Sequence, residues 1–118
     1  MNLAMTAAAA VLSLVASGPS GVQMTEAGYL ADANGMSLYI FDKDAPGTSN
    51  CNGGCAKSWP PLLAGSGASA EGDFTLVTRQ DGSLQWALDN MPLYYWAGDN
   101  KPGDTRGDGV GGTWHLAR

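Results

Sequence analysis

From Val22 onward, apolar and polar residues alternate with the two-residue period of β-strands, and no stretch carries the 3.6-residue period of an amphipathic helix. Gly28-Tyr29-Leu30-Ala31-Asp32 and Met36-Ser37-Leu38-Tyr39-Ile40-Phe41 flank Ala33-Asn34-Gly35, and an Asn-Gly between two such runs predicts a hairpin. Further on, Phe74-Thr75-Leu76-Val77-Thr78 and Ser83-Leu84-Gln85-Trp86-Ala87-Leu88 flank Gln80-Asp81-Gly82. Asp89-Asn90 then turns the chain into Met91-Pro92-Leu93-Tyr94-Tyr95-Trp96, which predicts a three-stranded meander. The one helix-like piece is a single turn at Cys55-Ala56-Lys57-Ser58, stopped by Pro60-Pro61. Between the two groups of strands, Ala64 to Gly72 is Gly, Ser and Ala with one Glu, which reads as a flexible connection with nothing to pack.

The two strand groups share a pattern. Leu38-Tyr39-Ile40-Phe41 runs into Asp44, and Leu93-Tyr94-Tyr95-Trp96 runs into Asp99; Met36 and Met91 precede them, and Trp59 and Trp114 follow at the same distance. Every one of these pairs is separated by 55 positions. A repeat of that length, present twice, is an internal duplication and not a solenoid. In the first copy Leu38 and Ile40 alternate with Tyr39 and Phe41, so either both faces are covered or an aromatic face is exposed. Covered faces are expected, because a small domain needs its aromatics for its core; an exposed Tyr/Trp face would suit a glycan or peptide.

Composition changes the picture in two ways. Leu3 to Ala16 is apolar and Ala-rich, too short to span a bilayer but suited to the core of a secretory signal, with Val15-Ala16-Ser17 offering small residues for cleavage. Residues 1–17 are therefore expected to be a helical signal peptide, with a buried or membrane-anchoring helix as the alternative, and 18–118 a single β domain with repeat units at about 28–63 and 74–117. No Lys or Arg precedes Lys43, so the true start is expected upstream of Met1. A formal net charge of −5 with six scattered Lys and Arg argues against nucleic acid and gives no polybasic handle for anionic lipid. No membrane span is expected in the mature chain.

Several blocks then fall in a familiar order: Gly35-Met36-x-Leu38-Tyr39-x-Phe41-x-x-Asp44; Cys51-x-x-x-Cys55-Ala56-x-x-Trp59-Pro60-Pro61-Leu62; Pro92-Leu93-Tyr94-x-Trp96-x-x-Asp99; and Pro102-Gly103-Asp104 through to Trp114. Together they resemble the bacterial secreted-repeat lipoproteins, a family of unknown function with a Tyr-x-aromatic-x-x-Asp motif. The resemblance covers roughly Tyr29 to Ala117 and implies a secreted or envelope-associated β-rich module. The chain departs from many relatives in lacking a lipobox Cys, which puts membrane tethering in question.

The candidate chemistry is sparse. Cys51 and Cys55 enclose Asn52-Gly53-Gly54, and an even pair in an exported chain reads first as a disulfide, stabilising by about 2 kcal/mol for so short a loop. The alternatives are copper held by Cys51, Cys55 and His115, since soft thiolates with a remote His suit that metal, or a redox-active dithiol. Asp99, Asp104 and Asp108 in a glycine-rich loop offer the oxygens calcium needs, although the spacing is not that of an EF-hand. Asp44 and Asp99 read more simply as acceptors of backbone N–H groups that fix the turn after each Leu-Tyr strand. His115 alone reads as a structural residue beside Trp114. Gly107-x-Gly109-x-x-Gly112 lacks the βαβ setting of a dinucleotide loop, and no nucleophile elbow, zincin or phosphate loop is present. Arg106-Gly107-Asp108 spells the integrin tripeptide, which recurs by chance.

The expectation is thus an all-β domain of two homologous antiparallel hairpin or meander units with pseudo-two-fold symmetry, packed through the Leu, Phe and Trp of both copies. It is secreted or periplasmic, or held at the cell surface, with a binding or structural role toward an envelope or extracellular partner and no catalytic constellation. A copper or thiol-redox protein and a calcium-stabilised adhesion module are the alternatives.

Overall fold

The computed structural model describes residues 19–118; the expected signal segment lies outside them. The described chain is built of short antiparallel strands: β1 Gln23–Met24, β2 Leu30–Ala31, β3 Tyr39–Phe41, β4 Leu63–Ala64, β5 Phe74–Thr78, β6 Leu84–Leu88, β7 Met91–Pro92 and β8 Trp114–Leu116. One helical turn, α1 at Gly54–Ser58, precedes Trp59, and a 3₁₀ turn at Val110–Gly112 precedes Trp114. The hairpin turns follow local chemistry. Gly35 adopts φ +85° after Asn34, while Asp89 and Asn90 both take positive φ, as a two-residue turn of the kind favoured between antiparallel strands requires.

Strand pairing divides the protein into two lobes. In the first, β3 pairs with β8, placing Tyr39 opposite Leu116 and Phe41 opposite Trp114, and β1 pairs with β2. In the second, β6 is flanked by β5 on one side and by β4 and β7 on the other. Each lobe closes through a ring of three backbone hydrogen bonds. Leu30 N donates to Ala117 O (2.8 Å), Ala117 N to Leu38 O (2.9 Å) and Leu38 N to Leu30 O (3.0 Å). The second ring has the same sense: Trp86 N to Leu62 O (2.8 Å), Leu62 N to Leu93 O (3.0 Å) and Leu93 N to Trp86 O (3.0 Å).

The third member of each ring comes from the other repeat. Residues 58–64, the end of the first sequence unit, lie against β6 and the Leu93–Trp96 stretch; residues 113–117, the end of the second, lie against Leu30 and β3. The sequence units therefore do not coincide with the lobes. A two-stranded hairpin cannot bury both its faces alone, and here each hairpin is completed by its sister's last strand.

Both faces of the repeated strand are covered. Leu38 and Leu93, each fully buried, join Val22, Leu30, Leu62, Phe74, Trp86 and Ala117 in one core, while Tyr39, Phe41, Trp59, Tyr94, Trp114 and Leu116 form a second, aromatic core with Tyr29 and Cys51. The connection after Ala64 is less idle than its composition implies: Leu63–Ala64 is a strand, and Ala68 packs against the first core.

Candidate functional site

The residues that the duplication preserves meet at the seam between the lobes. Tyr39 and Tyr94, equivalent in the repeat, bond to each other reciprocally through the backbone, with Tyr39 N to Tyr94 O at 2.7 Å and Tyr94 N to Tyr39 O at 2.9 Å. Beside them Trp59 and Trp114, also equivalent, stack face to face with ring centroids 3.7 Å apart and planes 2° from parallel. Phe41 extends the stack on Trp114 (4.1 Å), and its equivalent Trp96 extends it on Trp59 (4.2 Å). Edge-on tyrosines flank the central pair, Tyr39 against Trp59 at 5.5 Å and Tyr94 against Trp114 at 5.1 Å. The order Phe41, Trp114, Trp59, Trp96 thus alternates between the repeats, and edge-on contacts such as those of the two tyrosines add about 0.5–1.5 kcal/mol each beyond burial.

The tyrosine hydroxyls cross the same seam. Tyr39 Oη donates to Asp99 Oδ2 and Tyr94 Oη to Asp44 Oδ2, both at 2.7 Å, so the motif tyrosine of each repeat is held by the motif aspartate of the other. The second oxygen of each carboxylate takes a backbone N–H of its own loop, Asn50 N for Asp44 and Arg106 N for Asp99. Burial and then the aspartates push the ionisation of both phenols well above the ordinary tyrosine range; Tyr95, bonded to Asp32, is raised in the same way. Burial also raises Asp44, against the opposing effect of Asn50 N–H, the Tyr94 hydroxyl and the Arg79 charge.

Arg79 anchors one side of the seam. This buried guanidinium donates to Gln85 Oε1 (2.8 Å), Cys51 O (2.8 Å), Ser49 Oγ (3.1 Å) and Asn52 Oδ1 (3.3 Å). Ser49 Oγ also accepts Cys51 N and lies 2.7 Å from Tyr94 Oη. Tyr94 gives its proton to Asp44, so the serine donates to the tyrosine, and the cation reaches the carboxylate through two hydroxyls. On the other side the place of Ser49 is taken by a main-chain group: Gly107 N donates to Tyr39 Oη at 3.1 Å. A Cβ on Gly107 would come within 2.9 Å of both Trp59 and Tyr39, so only glycine lets the backbone approach so closely.

The residues singled out from sequence fall into separate environments. Cys51 and Cys55 are joined as a disulfide, Cys51 fully buried, and the loop they close leads into α1 and Trp59. His115 Nε2 lies 2.8 Å from Asp42 Oδ2 on the surface, while its neighbour Trp114 faces the core. Asp99, Asp104 and Asp108 each serve a different stretch of backbone: Asp104 accepts Asn100 and Lys101 N–H groups, which hold its carboxyl below the usual range, and Asp108 accepts Leu116 N. Among the described residues no three His, Cys, Asp or Glu side chains converge as metal ligands. Gly107 and Asp108 of the integrin-like tripeptide are both engaged in the fold.

Sequence reading passed over Arg79, Gln85 and Ser49. A signal existed for the first: Arg79 continues the alternating register of Val77, which points into the protein, so a cation stood in line with inward positions. Gln85 likewise shares a face with the buried Ala87.

A family model described as a secreted repeat of unknown function matches the chain twice, over residues 21–63 and 75–118. No curated protein and no solved structure matches it.

Proposed function

The chain belongs to this family of secreted repeats, and on that premise we propose that it serves at the cell envelope or outside the cell as a non-catalytic module with a binding or scaffolding role. The observation that supports the reading is what the buried polar groups do. Tyr39, Tyr94, Asp44, Asp99 and Arg79 are bonded to one another, to Ser49 and Gln85, or to backbone, and so serve to hold two loops in place. Loops fixed on a rigid scaffold are where recognition usually resides. Their outward residues, Lys43, Asn50 and Lys57 on one and Lys101 and Arg106 on the other, are exposed, and all but Asn50 are cationic.

The test begins with the protein exported by its own host. Fractionation and intact mass under native and denaturing conditions are expected to find it outside the cytoplasm, with Cys51 and Cys55 lacking the hydrogens lost in disulfide formation and with no ion retained. Cross-linking on intact cells, compared between the natural chain and a Lys57→Ala/Arg106→Ala variant, then tests for a partner at the loops. A retained copper ion with free thiols would replace this reading with copper handling. Calcium whose removal lowers the melting temperature would replace it with an adhesion module.

A further inference from the structure

The contacts across the seam are reciprocal: Tyr39 with Tyr94, Trp59 with Trp114, and each tyrosine with the other repeat's aspartate. An interface in which a surface meets its own equivalent is isologous, the geometry of a two-fold homodimer. Each lobe is moreover left open until a strand from the other repeat closes its ring of hydrogen bonds. Nothing in those contacts requires the two repeats to belong to one polypeptide. We propose that the same surface accepts a repeat from a second copy of this chain, so that two molecules can join by exchanging their halves, each aromatic stack then being completed between chains. This goes beyond the module's proposed role and does not depend on it.

What keeps the exchange within one molecule is the connection at 65–73. β4 and β5 lie on opposite sides of β6, so their separation is ~10 Å across the sheet and ~13 Å along it, a gap of ~16 Å. Nine residues bridge that easily. Removing 65–71 leaves Gly72 and Asp73, which at ~3.8 Å per Cα step reach only ~11 Å. The first repeat's end strand can then dock only on another molecule.

The experiment compares the natural chain with the 65–71 deletion by native mass spectrometry and sedimentation. The deletion variant is expected as a folded dimer of doubled mass, with the tryptophan environment of the natural chain in its near-ultraviolet circular dichroism. A folded monomer would overturn the proposal. Should the deletion variant not fold, a full-length chain with a protease site placed in 65–72 decides: it is folded, cut, mixed with a tagged cut copy, taken through mild denaturant and returned to buffer. Mixed assemblies carrying one tagged and one untagged half support the proposal, and failure of the halves to recombine across copies overturns it.

Discussion

The two loops that join strand to tryptophan begin and end alike and are built differently between. Trp59 and Trp114 each lie 15 positions beyond their motif aspartates, Asp44 and Asp99. Each loop reaches over the opposite lobe's hairpin turn, Gly47 N to Asn90 O in one and Gly103 N to Gly35 O in the other. In the first loop a disulfide and the Arg79 guanidinium fix the middle, and an α-helical turn delivers Trp59. In the second no covalent link exists: Gly107 packs directly on Tyr39, Ser37 Oγ donates to Asp104 O, and a 3₁₀ turn delivers Trp114. Cys55 and Val110, repeat-equivalent, pack against the same aromatic core. The duplication thus preserves the boundary conditions of a loop, an aspartate bonded across the seam and a tryptophan in the stack. The path between them is free to vary with local chemistry.

The largest expected effect is also the most symmetric. Trp59→Ala and Trp114→Ala each delete the centre of the stack, and truncation of a buried Trp costs about 3–5 kcal/mol. Because each tryptophan faces the other, one flanking aromatic and one edge-on tyrosine, the two variants are expected to agree within about 1 kcal/mol in urea denaturation. A large inequality would show that one loop, and not the shared stack, carries the seam.

Arg79→Met breaks the symmetry by design. It strips donors from Cys51 O, Gln85 Oε1 and Ser49 Oγ, and leaving buried acceptors unpaired is expected to cost about 2–3 kcal/mol. Amide exchange should quicken in Cys51–Trp59 and stay unchanged in Arg106–Trp114. Equal quickening in both loops would mean that the two are one cooperative unit and that the clamp is not local.

Tyr39→Phe and Tyr94→Phe each unpair one carboxylate oxygen and are expected to cost about 1–2 kcal/mol. They also carry a pH signature. Both phenols hold their protons more tightly folded than unfolded, so the stability they contribute is full below the unfolded tyrosine value of about 10 and is lost as pH rises above it. The urea midpoint of the natural chain should fall between about pH 8 and about pH 11, and each Phe variant should fall less steeply. Tyr95, bonded to Asp32 outside the stack, leaves a residual slope in both. Unaltered slopes would place the alkaline loss elsewhere.

The alternation of Leu38, Tyr39, Ile40 and Phe41 was enough to assign strands and to expect both faces covered, since a period of two fixes which residues share a face. It could not say which strand lies alongside. Pairing is decided by the ring that closes each lobe, and Trp59–Leu62 and Trp114–Ala117 fit either lobe by pattern alone. The family too was legible, because its blocks survive in order. Hidden were the roles: a motif aspartate reads as a local turn former, and nothing in Tyr39 or Asp99 by itself announces a bond across sixty residues. The connection from Ala64 to Gly72 reads as idle for a similar reason, since glycine and serine report flexibility in isolation but not the core against which Ala64 and Ala68 pack.

The smallest expected effect concerns a difference the fold already tolerates. His115 and Asp42 face each other on the surface of the first lobe; their equivalents in the second are Pro60 and Ala97. The backbone bonds match regardless, Asp42 N to Thr113 O and Ala97 N to Ser58 O, both at 2.8 Å. One lobe therefore closes without the side-chain pair that the other possesses. An exposed side-chain pair of this kind contributes about 0–1 kcal/mol, so His115→Ala is expected to shift the urea midpoint barely, far less than either tyrosine variant. It is also expected to leave partner recovery from intact cells unchanged. If His115→Ala instead abolished that recovery while the midpoint stayed put, the asymmetry between the lobes would be a functional one, and the pair would mark the binding face.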